Sequence, residues 1–171
     1  MQYKLYWKVF RKRGYTGRMM QELTNPEMHD VLSRAWHGHL ACCDSIKRPY
    51  VVPISYAFEH NAIYSFAFEG EKIDIMRRHP HVCFQVEKLM PNDMWKSVIV
   101  WGKFEELEGA DRGKAMSLLI DRLWKAGNQE KSLYMPFRDS EESMERAMDD
   151  HGAILWRIAI EEMHGRMEQY A

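Results

Sequence analysis

Bulky apolar residues fall at every second position in two neighbouring stretches of the chain. From Val51 to Phe58 the larger set is Val52, Ile54, Tyr56 and Phe58, and the slighter set is Val51, Pro53, Ser55 and Ala57. From Ile63 to Phe68 the larger set is Tyr64, Phe66 and Phe68, and the slighter set is Ile63, Ser65 and Ala67. A period of two marks strands with unlike faces. A three-residue loop, His60-Asn61-Ala62, would pair Ala57 with Ser65 and Tyr56 with Phe66, bulky against bulky and small against small. The two stretches therefore predict a hairpin with one slight face.

The remaining pattern fills in around it. "TNPEMHDVLSRAW" predicts a helix, with Thr24 and Glu27 as a capping box, Pro26 in the first turn, and Met28, Val31, Leu32 and Ala35 at helical spacing. "GHLACCD" reads as a strand that ends in a turn near Ser45 to Arg48, and "EKIDIMRRH" as a short helix stopped by Pro80. "HVCFQVEK" alternates again, and "KSVIVWGKFEEL" is a long strand whose glycine permits a bend or bulge. "ADRGKAMSLLIDRLW" is an amphipathic helix. "DSEESMERAMDD" is a very polar one, with Asp139 and Glu142 as a capping box, and "AILWRIAIEEMHGR" closes the chain as a strand. About six short-spaced strands with a few helices, and no repeated strand–helix–strand order, point to an antiparallel barrel with helical decoration. The expected layout is one domain over residues 19–171, with a helical segment around 110–150.

Composition narrows the class. The 171 residues are 46% hydrophobic and 29% charged with a net charge of -1, a globular balance that advertises neither nucleic acid nor a membrane surface. No run approaches the roughly 18 apolar residues of a membrane helix. Residues 1–18 are basic and aromatic and lack the apolar core of a signal peptide. They read as a solvated arm, as sequence upstream of a start at Met19 or Met20, or as a grip on an acidic partner or second subunit. Cys42, Cys43 and Cys83 are odd in number and not spaced for zinc, which predicts reduced thiols and a cytoplasmic setting.

Candidate chemistry gathers at the hairpin. Pro53 donates no ladder hydrogen bond, and the small residues on its face admit either a flat ligand or a closely packed neighbouring element. Gly70 in "EGEK" allows positive φ at the junction with the short helix. That helix begins with free amide donors and the positive end of its dipole, and Lys72 adds a full charge, an arrangement suited to phosphate. Glu71 and Asp74 alternatively neutralise Lys72. Other templates fail: there is no G-x-G-x-x-G, G-x-S-x-G or H-E-x-x-H, and "GADRGKA" falls short of a phosphate-binding loop. His37 and His39 share a strand face, with no third metal ligand evident. No catalytic acid–base pair stands out.

The ordered series "GHLACCD…RPYVVPISYAFEHNAIYSFAFEGEKIDIMRRHPHVCFQVE…WKSVIVWGKFEEL", with "WRIAIEEMHGR" after it, resembles the pyridoxamine 5'-phosphate oxidase-like flavoproteins, in particular the branch containing nitroimidazole-resistance proteins. The resemblance implies a split β-barrel and a homodimer with FMN at the subunit interface. It implies that Val52, Pro53, Ile54 and Ser55 present their backbone to the flavin ring and that Ser65, Gly70 and Lys72 lie on the phosphate side. Lys96 and Ser97 would flank the ring or ribityl chain. Glu71 stands where the family's oxidases often carry arginine, and Phe66 where many nitroimidazole-branch members carry histidine. The implied activity is electron transfer between a reduced nicotinamide donor and a small-molecule acceptor. Flavin storage, a haem held by His37, His39 or His164, and binding of the deazaflavin F420 are the alternatives.

Overall fold

A computed structural model describes residues 18–91, 94–129 and 140–170. The proposed N-terminal arm lies outside them, apart from Arg18. The elements in chain order are β1 (Arg18–Glu22), α1 (Asn25–Arg34), β2 (His37–Cys43), β3 (Pro49–Ser55), β4 (Ala57–Glu59) and β5 (Ala62–Ala67). After them come α2 (Glu71–Arg78), β6 (His81–Leu89), β7 (Trp95–Glu106), α3 (Gly109–Gln129), α4 (Glu141–Asp150) and β8 (Ile154–Tyr170).

The eight strands form one antiparallel sheet in the order β3-β2-β6-β7-β8-β5-β4, with β1 paired to the far end of β8. The sheet curls into a split β-barrel carrying four helices. Its interior holds Leu40, Tyr56, Ile63, Phe84, Val98, Val100, Trp156 and Ile158, and α1 and α2 turn Leu32, Ile73 and Met76 into the same core. A second core lies outside the barrel, where α3 and α4 place Met116, Leu119, Ile120, Leu123 and Met148 against Ala57 and Leu155. The anticipated bulge falls between Trp101 and Gly102 in the pairing of β7 with β8. A Cβ on Gly102 would stand 2.3 Å from the Ala159 carbonyl oxygen, so only glycine lets the two backbones approach this closely.

The predicted hairpin is corrected in two respects. First, Val51 to Phe58 is not one strand. β3 pairs with β2, and the chain breaks at Tyr56 before β4 pairs with β5. The Tyr56 amide donates to the Trp36 carbonyl at 2.8 Å and its hydroxyl to the Leu32 carbonyl at 2.7 Å, both at the C-terminal end of α1. Second, the loop has two residues. His60 and Asn61 have φ of 48° and 57°, the conformation of a type I′ turn. Ala57 therefore faces Tyr64 rather than Ser65. The slight sets consequently separate: Ile63 and Ser65 of β5 point into the barrel, whereas Val51 and Pro53 of β3 point out.

Smaller differences follow from local chemistry. The capping hydroxyl of α4 is Ser140, which accepts from the Ser143 amide at 3.0 Å, one residue later than expected. β8 continues past Arg166 because β1, a strand that local patterning did not announce, pairs with it.

Tyr56→Phe removes the donor to a buried carbonyl. The expected loss is about 1–3 kcal/mol of unfolding free energy, read from urea denaturation, with the far-ultraviolet dichroism unchanged.

Candidate functional site

β3 is the free edge of the sheet path, a position that tolerates Pro53. Its inward residues, Val52 and Ile54, pack with the barrel core, while Val51 and Pro53 are exposed and Ser55 is half-buried. The outward face continues without interruption across β2, β6, β7 and β8. One row runs Val51–Ala41–Cys83–Trp101–Glu162 and the next Pro53–His39–Gln85–Ile99–His164. Val51 is 60% and Trp101 41% exposed, so no element among the described residues covers this part of the face.

Chain segment 65–71 runs along β3 from one end to the other. At one end the buried Ser65 hydroxyl donates to the Ser55 carbonyl at 2.8 Å. At the other, Arg48, just before β3, faces Glu71 at 3.5 Å. Ser65 thus closes the seam of the barrel with its hydroxyl proton and leaves a buried oxygen behind. Phe66, on the opposite side of β5, packs against the α3–α4 core.

Gly70 precedes α2 in extended backbone, with φ of 162°, and a Cβ there would meet nothing within 4 Å. The expected positive-φ role is therefore corrected: glycine here leaves open space rather than relieving strain. No side chain caps the α2 N-terminus, so its first amides keep their donors free of side-chain acceptors. Lys72 lies in this first turn, half-buried beside Cys42. Burial lowers its ammonium below the ordinary value, while the nearby sulfur pulls weakly the other way. No carboxylate is paired with Lys72 among the described residues. Two of its three acidic neighbours are engaged elsewhere, while Asp74 of the same first turn is exposed. Glu69 makes a bidentate pair with Arg77 at 2.8 and 2.9 Å, and Glu71 faces Arg48. A half-buried cation at an uncapped helix start, with the carboxylates of Glu69 and Glu71 paired to arginines, fits an oxyanion such as phosphate.

Adjacent strand positions separate Lys96 from Ser97. Lys96 turns to α1, where its ammonium is 3.8 Å from Glu27. Ser97 lies on the outward face and accepts from the Gln85 amide at 3.1 Å. His37, His39 and His164 are exposed on that same face, and His164 contacts Glu162 at 2.6 Å. Among the described residues no group of three His, Cys, Asp or Glu is arranged to hold a metal ion. Sequence reasoning missed Arg48, Cys42 and Gln85, because the first two meet α2 only through the tertiary fold and Gln85 meets Ser97 across neighbouring strands. Among the described residues no helix is long and apolar enough to cross a membrane.

A model of the family described as pyridoxamine 5'-phosphate oxidase matches residues 24–167. An uncharacterized protein of Rhizobium meliloti (strain 1021) is 40% identical over 112 residues, 61% of this chain and 74% of its own. The crystal structure of a FAD-binding protein from Mesorhizobium loti superposes with a TM-score of 0.67 at 30% identity, over 90% of this chain and 99% of that one. A protein from Bacteroides thetaiotaomicron, provisionally assigned to 5-nitroimidazole antibiotic resistance, gives a TM-score of 0.66 at 18% identity over 89% of each chain. At that identity the likeness is one of fold.

Lys72 has a lower affinity for its proton in the folded than in the unfolded chain, where the ordinary value is 10.5. The unfolded chain therefore binds more protons as pH approaches 10.5, and the ligand-free protein gains stability over that rise. Lys72→Met should be more stable than the parent at neutral pH and should lack this component of the pH profile. Thermal unfolding of both proteins from pH 7 to 10.5 checks the sign.

Proposed function

The chain belongs to the pyridoxamine 5'-phosphate oxidase family, and from that premise we propose that it is a flavoprotein oxidoreductase holding the riboflavin 5'-phosphate unit, FMN, as a homodimer. The single observation that carries the reading is Lys72, half-buried without a carboxylate partner at the uncapped start of α2. It supplies the charge for the phosphate, and the outward face of β3 supplies the flat platform for the ring. The FAD-binding relative from Mesorhizobium loti supports a flavin as the ligand class.

When bound, the flavin supplies hydride and electron transfer between a reduced nicotinamide donor and a small-molecule acceptor. The chain's own part is to bind and orient. Lys72 and the first amides of α2 hold the phosphate by charge-assisted hydrogen bonds. Val52 to Ser55 offer backbone, because Pro53 and Ser55 project little side chain toward the ring. Ser65 keeps β5 docked on β3 through its bond to the Ser55 carbonyl, which fixes the distance between platform and phosphate site. Ser97, held by Gln85, adds a polar edge on the same outward face.

The second subunit covers the row Val51–Ala41–Cys83–Trp101, in which the side chains of Val51 and Trp101 stand exposed. The two-fold partner then walls the ring against β3.

An absorption spectrum during FMN titration tests the reading, with saturable changes in the flavin bands expected. Lys72→Ala should weaken FMN about 10- to 150-fold, the loss of one charge-assisted contact of about 1.5–3 kcal/mol. Ser55→Phe should block binding while the fold persists. Anaerobic reduction of the bound flavin by NADH or NADPH, followed by reoxidation with an acceptor, separates an enzyme from a flavin store.

Sedimentation velocity checks the assembly. The parent should sediment as a dimer and Trp101→Glu as a monomer, and a monomeric parent would exclude the shared site.

A further inference from the structure

The outward side of β2 and β3 carries histidines and no fixed charge. Pro49, Val51, Pro53 and Ser55 of β3 alternate outward, as do His37, His39, Ala41 and Cys43 of β2. Neither strand turns an Asp, Glu, Lys or Arg to this side. His37 and His39 are both exposed and stand two residues apart on one strand, so their rings share the face. Histidine is the side chain whose charge ordinarily changes between about pH 5 and 8. Protonation of these two rings is the way this patch becomes charged in acid.

Little around them answers that charge. His39 faces Pro53 of β3 and Gln85 of β6, and His37 faces Ser55. The Trp36 ring lies 4.6 Å from that of His37. Cys43 and Cys83 add thiols, which are neutral in acid. The outward carboxylate of β6 is Glu87, which accepts from the Gln85 amide at 3.2 Å. His81 and Lys103, paired on β6 and β7, add further positive charge in acid. On β8, Glu162 contacts His164 at 2.6 Å, Glu168 accepts from the Trp95 indole at 2.9 Å, and Arg166 faces Glu22. Glu87, Glu162 and Glu168 are thus engaged within their own chain.

A two-fold contact through this face buries each patch in duplicate. Acid then places four imidazolium charges at one contact, and the desolvation of each opposes burial. The separated copies bind protons that the joined copies exclude, so falling pH favours the separated form. Resting on the homodimer reading above, we propose that the dimer is acid-labile, with His37 and His39 buried neutral between the two copies and their protonation driving the copies apart.

Sedimentation velocity of the full chain over a dilution series, at about pH 8 and about pH 5.5 and one ionic strength, tests this. The dissociation constant should rise at least about tenfold toward acid, the effect of one withheld proton over one pH unit. Near-ultraviolet dichroism should stay unchanged, showing that the separated copies remain folded. The double variant His37→Gln/His39→Gln should dimerise equally at both pH values, and His39→Arg, with its fixed charge, should be weakened at both. A parent equally tight at both pH values would overturn the switch alone. So would a double variant that dissociates in acid like the parent, a His39→Arg dimer as tight as the parent's, or acid unfolding in place of dissociation. A parent that is monomeric at about pH 8 would sink the homodimer reading and the switch together.

Discussion

The interruption at Tyr56 is the constraint on which the rest of the molecule turns. Its amide and hydroxyl satisfy two carbonyls at the end of α1, and its ring lies in the barrel core against Phe84. Arg122 of α3 satisfies two more, donating to the Arg34 and Ala35 carbonyls at 2.6 and 2.9 Å. The end of α1 is thus a hub where helix carbonyls are answered by the β3–β4 junction and by the outer helical layer. Because the chain changes partner there, β3 leaves the β4–β5 region and becomes a free edge. Its slight side faces outward, while α1 and α2 pack on β6, β7 and β2 from the core side.

Charge around α2 follows a similar economy of partners. Arg77 lies between Glu69 and Glu106, the latter at 2.6 Å on β7, and this clamp ties the helix to the barrel. Arg48 is shared by Asp44 and Glu71. Arginines with planar forks suit such multiple pairing, and the point charge of Lys72 is left unmatched. That imbalance is local, since the chain as a whole carries a net charge of only -1. Lys72 stands at the start of α2, half-buried beside Cys42, with no carboxylate paired to it among the described residues.

Most strands and helices were legible in local patterning. The Thr24–Glu27 box, the Pro80 stop and the β7 glycine each act within a few residues, and each lies where the sequence implied. Lys72 was legible because "EGEK" announces a strand-to-helix junction. The features that were not legible depend on distant partners. The Tyr56 break needs carbonyls at positions 32 and 36, and the register of β4 on β5 follows from left-handed backbone at His60, a residue without a strong turn signature. The release of Lys72 from its acidic neighbours needs Arg48, 23 residues from Glu71. Patterning showed which residues alternate, but the side facing outward was set by where the alternation is broken.

The length of β8 bears on the order in which the molecule comes together. Its 17 residues form the seam for β5, β7 and β1 in turn, so Ala62 pairs with Ala159 and Arg18 with Tyr170. These are pairings of high sequence separation, which close late and slowly. During synthesis from the N-terminus, β5 and β7 wait with bare edges until the last strand is made. The α3–α4 segment, translated just before β8, lacks until then the Leu155 surface on which it packs. The barrel is therefore completed by the final strand, and a nascent chain halted before it would carry unpaired edges prone to wrong association.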